Sequence, residues 1–583
     1  MKKTLLFSVA LAGLMLGSCS SSDDLNGGGN NTGSNQSGDG YVAFTINMPS
    51  QPASSSRAFD SSNDQFNDGM AKEYAVKNAT LLLFDGADDN SATFVAAYKL
   101  STEPWKDLDP STDNITTQSR KIVQKVTASI NKAKALVILN DNGILTVDDT
   151  DNSLKVNGTS FTGTFADFVA KADATDGKDF TKDGFYMANA PLANNAGGST
   201  APATGTKVTT LTDLTGKIYD SELAAKTGDP AEVYVERGVA KVTVNKGTVN
   251  KADNGTPTKV PFEVTGWAID NYNPTTYLVR STDGFDSWMG YANENVTANP
   301  YRFVGHTEVA TGLYRTYFAK DVNYDTDAST VLKRATDFKD AYGDKNPQYC
   351  FENTFDVDHQ NENQTTLATI KAKLNGGTSF YILAGDQTTL YTEDVLKTLV
   401  AGKFITVEEA WLKANGKADE EITTSDITVS LDTTDPTHVE VTGITVADSK
   451  LADPTTVTYP SLNDVKAAVG TITYYKNGES YYTIRIKHFG DQLTPWAKGD
   501  LGVAEGNIYP NDGTTKKAEK NWLGRYGVLR NNWYDITVEG VKGLGSPINP
   551  KLTTTTDDEL ESYIAVRINV LSWAKRTQGA TLH

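Results

Sequence analysis

Residues 41–48 have the sequence Tyr-Val-Ala-Phe-Thr-Ile-Asn-Met, in which every second side chain is strongly apolar. Successive side chains of a β-strand point to opposite faces, so strict alternation places the apolar set on one face. That set is Val42, Phe44, Ile46 and Met48. Pro49 follows and ends the pattern, because proline cannot donate a ladder hydrogen bond. The stretch predicts a strand with one face buried against a core.

A second alternating stretch lies near the end of the sequence, where residues 563–570 are Tyr-Ile-Ala-Val-Arg-Ile-Asn-Val. Its apolar positions share one face of the predicted strand: Ile564, Val566, Ile568 and Val570. From the residues alone, two interpretations are equally open. The strand completes a sheet of its own domain, or it is supplied to a neighbouring chain.

Further apolar or alternating stretches predict strands between these two, over residues 76–84, 135–140, 233–244, 262–269, 471–475, 481–487 and 533–538. Gly238 lies inside one of them and predicts a β-bulge. Asn477-Gly478 lies between two others and predicts a tight hairpin. Helical spacing is confined to short pieces, over residues 167–172, 393–400 and 462–469. We therefore predict a mainly β protein with short helices.

The length of 583 residues favours more than one domain. Residues 246–261 are rich in Gly, Asn, Lys and Pro, which is typical of a domain boundary. We place the N-terminal β-sandwich domain at 58–250 and the C-terminal one at 251–583. We expect the second domain to contain an insertion, and residues 321–460 within it show no clear pattern.

The first residues resemble a bacterial lipoprotein signal peptide. Two lysines precede an apolar run that is too short for a permanent membrane helix, and Leu16-Gly17-Ser18-Cys19 has the form of a lipobox. We predict removal of residues 1–18 and acylation of Cys19; the alternative is an ordinary secretory signal. Residues 19–57 would form a lipidated propeptide that contains a flexible Gly-, Asn- and Ser-rich tether and the first strand.

Composition and motifs exclude several classes of function. The net charge of −19 disfavours nucleic-acid binding. The chain has two cysteines, Cys19 and Cys350, too few for a disulfide framework or a four-cysteine metal site, and Cys350 is predicted to be a buried apolar residue. The sequence has no common hydrolase, phosphate-loop or zinc-protease motif. We predict no enzyme activity, no cofactor and no metal site.

Two weaker features leave alternatives open. Aspartates at 148–151 and 325–327 could hold Ca²⁺, although neither set has the ligand spacing of an EF-hand, and solvated loops are the favoured interpretation. The tyrosine pairs Tyr474-Tyr475 and Tyr481-Tyr482 could stack against sugars, but half-buried strand surface is favoured.

Several segments together resemble the fimbrillins of Bacteroidales, most closely the Mfa-type shaft subunits of the minor fimbria. They occur in the order found in that family: the lipobox at Cys19, the strand at 41–48, Ser56-Arg57-Ala58, residues 135–140, residues 235–242, residues 475–482, residues 528–534, residues 543–547 and the terminal strand ending at Trp573. The stretch 321–460 has no matching piece. The resemblance implies two transthyretin-like β-sandwich domains.

The resemblance also implies a mechanism. A lipid-anchored precursor at the cell outer membrane would be cut between Arg57 and Ala58 by an arginine-specific surface protease, which releases the first strand. The terminal strand of an identical subunit would replace it, head to tail, to build an extracellular fimbrium. Anchor and tip subunits, and receptors on host or bacterial surfaces, would be further partners. Arg57 fits this expectation, since it is the first arginine of the chain and is flanked by small residues.

Three other functions stay open at this point. An accessory or tip fimbrillin adhesin would share the fold without donating a strand. A glycan-binding surface lipoprotein would keep its lipid and its first strand. An enzyme is the third alternative, and no motif favours it.

Overall fold

The structure is a computed structural model. It describes residues 40–49, 65–66, 69–101, 106–107, 116–126, 132–173, 180–196, 206–286, 304–310, 312–324, 331–354, 361–417, 421–453, 462–486, 488, 526–554, 564–571, 574–575 and 577–579. Cys19, Arg57 and Ala58 therefore lie outside the described residues, as do the signal peptide and the tether.

The N-terminal half contains seventeen described strands: β1 (Gly40–Pro49), β2 (Gln65–Phe66), β3 (Ala79–Asp85), β4 (Thr93–Lys99), β5 (Lys106–Asp107), β6 (Thr116–Val126), β7 (Ala133–Leu139), β8 (Leu145–Val147), β9 (Leu154–Val156), β10 (Thr159–Phe161), β11 (Ala172–Asp173), β12 (Met187–Asn189), β13 (Leu192–Ala193), β14 (Val208–Thr209), β15 (Thr212–Asp213), β16 (Ile218–Tyr219) and β17 (Ala231–Arg237). Its short helices are α1 (Ala71–Tyr74), α2 (Phe165–Val169) and α3 (Glu222–Thr227).

The remaining described strands are β18 (Ala240–Asn245), β19 (Lys251–Ala252), β20 (Val260–Asp270), β21 (Thr276–Tyr277), β22 (Val304–Ala310), β23 (Leu313–Thr316), β24 (Gln348–Cys350), β25 (Leu367–Leu374), β26 (Phe380–Leu383), β27 (Asp386–Tyr391), β28 (Ile427–Asp432), β29 (Glu440–Val446), β30 (Ile472–Tyr475), β31 (Glu479–Arg485), β32 (Trp533–Val541), β33 (Ile564–Leu571), β34 (Ala574–Lys575) and β35 (Thr577–Gly579). The helices of this half are α4 (Glu393–Val407), α5 (Glu409–Asn415) and α6 (Leu462–Val469).

The first sandwich is built from one extended ladder of strands, in the order β4-β3-β7-β12-β17-β1-β6-β5. Strand β17 takes part in both halves of this ladder: residues 231–234 pair in parallel with β1, and residues 235–237 pair antiparallel with β12. A single hydrophobic core contains buried residues of β1, β3, β7 and β17. Period-two alternation in β1 and the continuous apolar run in β3 both bury their side chains there, as the sequence predicts.

The second sandwich consists of two sheets, β24-β18-β32-β33-β35 and β19-β20-β25-β31. Its core lies among β18, β20, β25, β31 and β32, and it contains Trp267, Tyr534 and Cys350. Smaller sheets flank the two sandwiches, in the orders β14-β13-β23-β22, β10-β9-β8 and β11-β21. The predicted fold class, mainly β with sandwich domains and short helices, is confirmed.

The predicted strand 233–244 is wrong as one strand with a bulge. It is divided into β17 and β18, which belong to different sandwiches. The change of sheet occurs at Gly238, where a Cβ atom would lie 2.6 Å from Phe180 Cδ2 and 3.0 Å from Tyr186 Cδ1. Only glycine fits this close approach. The chain thus passes from the first sandwich to the second at Gly238, which is upstream of the domain boundary predicted at residue 250.

Residues 375–478, between β25 and β31, form a separate unit that we call the insertion. Strands β25 and β31 pair antiparallel as neighbours, with Lys373 opposite Glu479. The insertion carries α4, α5 and α6, the sheet β27-β26-β30 and the hairpin β28-β29 around its own core. The hairpin predicted at Asn477-Gly478 is wrong in its partners, because β30 pairs with β26 and β31 pairs with β25.

Candidate functional site

Strand β1 lies inside its sheet rather than at an edge. It pairs antiparallel with β6 along its whole length and in parallel with β17 through residues 44–47. Its first residues also pair with β16, with Tyr41 opposite Tyr219. Removal of β1 would therefore leave unpaired backbone groups on both of its neighbours, which is a strand-shaped vacancy.

The four alternating side chains of β1 are all fully buried: Val42, Phe44, Ile46 and Met48. Asn47, on the opposite face, is also buried, at 7% exposure, and its Nδ2 donates to Glu232 Oε2 on β17 at 2.7 Å. Sequence periodicity could not identify this second contact, because it depends on a residue 185 positions away. Strand β1 is therefore held by apolar packing on one face and by a hydrogen bond on the other.

The C-terminal strand β33 belongs to a sheet of its own domain in this structure. It pairs antiparallel with β32 on one side and with β35 on the other. The four predicted donor positions lie opposite residues of β32 that are all buried. These pairs are Ile564 with Val541, Val566 with Val538, Ile568 with Ile536, and Val570 with Tyr534.

A continuous path of paired strands connects β1 to β33. Strand β1 pairs with β17, and the chain passes through Gly238 into β18. Strand β18 pairs in parallel with β32, which in turn pairs with β33. The wall of the slot that holds β1 and the sheet that holds the C-terminal strand are therefore formed by one stretch of chain.

Buried charged groups surround the crossing at Gly238. Arg280 forms a two-pronged contact with Glu236, at 2.9 and 2.8 Å, and Arg530 Nε lies 2.8 Å from Glu352 Oε2. All four side chains are 3% exposed or less. No local sequence pattern predicts this network, although Arg530 lies in the segment 528–534, which resembles the fimbrillins. Buried ion pairs of this kind hold the surrounding strands in one arrangement, because separating the partners would leave a buried charge unpaired at a large cost in free energy.

The structure also describes the free cysteine, possible metal ligands and the helices. Burial raises the pKa of the Cys350 thiol to about 12, so this cysteine stays protonated and unreactive. Among the described residues, no group of three or more His, Cys, Asp or Glu side chains is arranged to hold a metal ion. Within the same residues, none of the helices has the length and apolar character to span a bilayer.

Residues 502–579, which include β32 and β33, match the sequence model of the family described as major fimbrial subunit protein type IV, fimbrillin, C-terminal. This C-terminal part of the chain is therefore similar to the fimbrillin family. The matched range also includes the short strands β34 and β35. A search of curated proteins found no match.

Solved structures with a similar course of the chain include fimbrial proteins. A fimbrilin (fimA) from Porphyromonas gingivalis is 10% identical and matches over 93% of this chain and 98% of its own length, with a TM-score of 0.32. The tip fimbrial protein Mfa3 of the same species, with a C-terminal truncation, is 10% identical over 91% and 100%, with a TM-score of 0.29. A fimbrial assembly protein from Parabacteroides distasonis is 10% identical over 57% and 82%, with a TM-score of 0.27. Structural likeness at these TM-scores carries no functional weight.

Proposed function

We propose that this protein is a fimbrillin, a structural subunit of a surface fimbria that polymerises by strand exchange after proteolysis. The observation that carries the proposal is the position of β1, an internal strand whose alternating apolar side chains are fully buried and which lies just upstream of Arg57. Hydrolysis of the Arg57–Ala58 bond by an arginine-specific protease, with water as co-reactant, separates β1 covalently from the rest of the chain.

The energetics of losing β1 support this role. Burial of one large apolar side chain contributes about 1.5–3 kcal/mol, so the four on β1 contribute roughly 6–12 kcal/mol as an upper bound. A typical domain is stable by only about 5–15 kcal/mol. A subunit that has lost β1 therefore requires a replacement strand that restores both the apolar contacts and the ladder with β6 and β17.

Strand β33 has the properties of such a replacement. Its apolar residues repeat at every second position, as those of β1 do: Ile564, Val566, Ile568 and Val570. Strand addition supplies backbone hydrogen bonds along a sheet edge, and alternate side chains fill the pockets. Because donor and acceptor surfaces differ, repeated exchange gives an open head-to-tail filament.

The precursor is proposed to be anchored at the outer membrane through acylated Cys19, and the cut at Arg57 releases both the lipid and β1. Identical subunits are then the main partners, and anchor and tip fimbrial subunits, together with receptors on host or bacterial surfaces, are the others. In this proposal the fimbria serves adhesion, biofilm formation or colonisation.

The direct test is to collect surface fibres by shearing and to determine the N-terminus and the intact mass of the subunit. We expect a start at Ala58 in material that gives a detergent-resistant ladder on gels. An Arg57→Ala variant should keep its acyl chains, start at Cys19 and form no ladder. A monomer that starts at acylated Cys19 in wild-type cells would exclude the shaft role and favour a lipid-anchored binding module.

A peptide experiment tests the donor strand separately. A peptide of residues 561–573 should bind the cleaved subunit and raise its unfolding midpoint, since it would occupy the vacated slot. Replacing Ile568 by Asp in the peptide should abolish binding, because a charge would enter an apolar pocket. Replacing the neighbouring Asn569 by Asp is the matched control and should bind normally. An equal loss of binding by both peptides would contradict the proposal that every second side chain of the donor strand enters an apolar pocket.

A further inference from the structure

The segment that follows the proposed cleavage position contacts the segment that follows the proposed donor strand. Strand β2 pairs antiparallel with β34, with Gln65 opposite Lys575 and Phe66 opposite Ala574. In sequence, β2 lies shortly after Arg57, and β34 is separated from β33 only by residues 572–573. The strand that follows the proposed cut and the strand that follows the proposed donor are therefore paired with each other in the uncut chain.

The chain just beyond β2 is fixed to the second sandwich through Glu73. This carboxylate is fully buried and lies 2.9 Å from Lys241 Nζ on β18. Its Oε1 accepts a hydrogen bond from the Tyr349 hydroxyl on β24 at 2.5 Å, and its backbone carbonyl accepts from Arg237 Nε at 2.8 Å. Helix α1, which carries Glu73, therefore has a rigid attachment.

On the other side of β2, the chain leads back to β1, which is buried in the first sandwich. The segment that contains β2 is thus held at both ends in the uncut protein, by β1 at one end and by Glu73 at the other. A closed loop of this kind restricts where β2 can go, so its effective concentration at β34 is high. A pairing of only two residues would be weak without that restriction.

We propose that the pairing of β2 with β34 is a latch that retains the C-terminal strand in its own sheet until the chain is cut at Arg57. The inference rests on the proposed function and adds its regulation. One cut then has two consequences: it allows β1 to leave, which opens the acceptor slot, and it turns the chain before β2 into a free end, which weakens the hold on β34. Uncut precursor is thereby a poor donor as well as a closed acceptor.

The test measures donation by a chain that cannot be cut. Full-length precursor with Arg57→Ala, labelled with a fluorophore, is mixed with cleaved wild-type subunits, and label in the detergent-resistant ladder is quantified. Its own slot is occupied by β1, so it can enter the ladder only as a donor. With the native latch we expect little incorporation. With the latch broken by Gln65→Pro and Phe66→Pro, which remove both backbone donors of β2, we expect at least a tenfold increase.

The matched control is Gln65→Thr with Phe66→Tyr, which keeps both N–H groups and should incorporate as little as the native latch. Unchanged urea midpoints for all three chains verify that folding is intact. Equal incorporation by the proline variant and its control overturns the latch while leaving the proposed function in place. If cleaved wild-type subunits form no ladder at all, the proposed function is overturned, and the latch with it.

A covalent lock gives an independent measurement. Phe66→Cys with Ala574→Cys places two thiols at directly opposed positions, where cross-strand Cβ atoms lie about 4.5–5.5 Å apart. After cleavage, the oxidised chain should form no ladder, and adding a reductant should restore the wild-type ladder. Either single cysteine variant should behave as wild type. A ladder of wild-type intensity from the fully oxidised chain would overturn the proposal, because the contact would then not need to open.

Discussion

Glu73 and Lys241 form an ion pair of 2.9 Å between Oε1 and Nζ, and both side chains are fully buried. The ammonium group of Lys241 also lies 3.7 Å from the centroid of the Trp533 ring, on β32. The pair therefore connects the first helix after the proposed cleavage position to the two central strands of the second sandwich. It is separated by 168 positions in sequence, so it is a purely tertiary contact.

Removing one partner of this pair should be strongly destabilising. We expect Glu73→Ala to lower the free energy of unfolding by about 3–5 kcal/mol, because it leaves Lys241 charged, buried and without its carboxylate. The double variant Glu73→Leu with Lys241→Met should recover most of that loss, since no charge is then buried. Urea unfolding followed by tryptophan fluorescence measures both.

The control for that prediction is the exposed pair Glu409–Lys413, whose side chains are 62% and 74% exposed. Glu409→Ala should leave the unfolding midpoint unchanged, because exposed pairs contribute little. A Glu73→Ala variant that is no less stable than Glu409→Ala would show that the buried pair is not an anchor.

Gly238 should be intolerant of any side chain. We expect Gly238→Ala to cost about 1–3 kcal/mol, because its Cβ would lie within 3 Å of the stacked rings of Phe180 and Tyr186, which are both fully buried. Gly402→Ala is the matched control. Its nearest neighbour would be Thr424 Cγ2 at 3.9 Å, and it lies within α4, so alanine should stabilise the helix by roughly 0.5–1 kcal/mol. Opposite signs for the two substitutions are the expected result in thermal unfolding; equal signs would contradict the close-approach explanation.

Asp321 should make stability fall as the pH rises from about 4 to about 7. Its carboxyl is fully buried, and this burial raises its pKa to about 7, against hydrogen bonds from the Thr354 and Asn323 amides that lower it. At low pH the folded and unfolded states both hold the proton. As the pH rises, the unfolded state releases it first and gains stability, until the folded state also releases it near pH 7. A shift of about three units corresponds to about 4 kcal/mol.

The comparison that isolates Asp321 is the difference in unfolding free energy between wild type and Asp321→Asn, measured from pH 4 to pH 8. The asparagine does not titrate, so wild type should lose stability relative to it over that range and then remain constant. A difference that does not change with pH would mean that Asp321 titrates near its ordinary value.

Local patterns predict the strands of the sandwiches well where one face is buried. The alternation at 41–48 corresponds to β1, and residues 533–538 correspond to most of β32, because burial of every second side chain is a property of the strand itself. Helix α6 has the predicted bounds, and α4 begins where predicted but continues to Val407. The side-chain pattern within each of these elements is sufficient to predict it.

Local patterns could not predict which sheet a strand joins, because that depends on partner strands distant in sequence. Residues 233–244 have an uninterrupted strand pattern, yet Val235 pairs with Asn189 and Lys241 pairs with Trp533, in different sandwiches. At Asn477 and Gly478 the turn chemistry is as predicted, with φ values of 54° and 64°, but the flanking strands join different sheets. The roles of Cys19, Arg57 and the terminal strand remain predictions, since they concern processing and assembly.

The insertion should be dispensable for assembly. Its helices and the hairpin β28-β29 have a core of their own, separate from the core of the second sandwich. Leu383 on β26 lies opposite Ile472 on β30, so these strands can be joined by a two-residue turn. We therefore expect that replacing residues 385–470 by Asn-Gly leaves a folded subunit, because Phe380 and Tyr475, which pack in the sandwich core, are retained.

Two further substitutions are needed so that the deletion does not expose apolar side chains of the insertion core. Tyr381 and Ile472 pack in the core of the insertion and should be changed to Thr, so that the shortened chain exposes no new apolar patch. The loss of Gln387, which contacts Asn254 and the Leu544 amide, should lower stability modestly. After cleavage at Arg57, the shortened subunit should give a ladder equal to wild type, because the buried residues of β1 belong to the core of the first sandwich and not to that of the insertion. A shortened subunit that folds, is cleaved and yet forms no ladder would instead place the insertion in the contact between subunits.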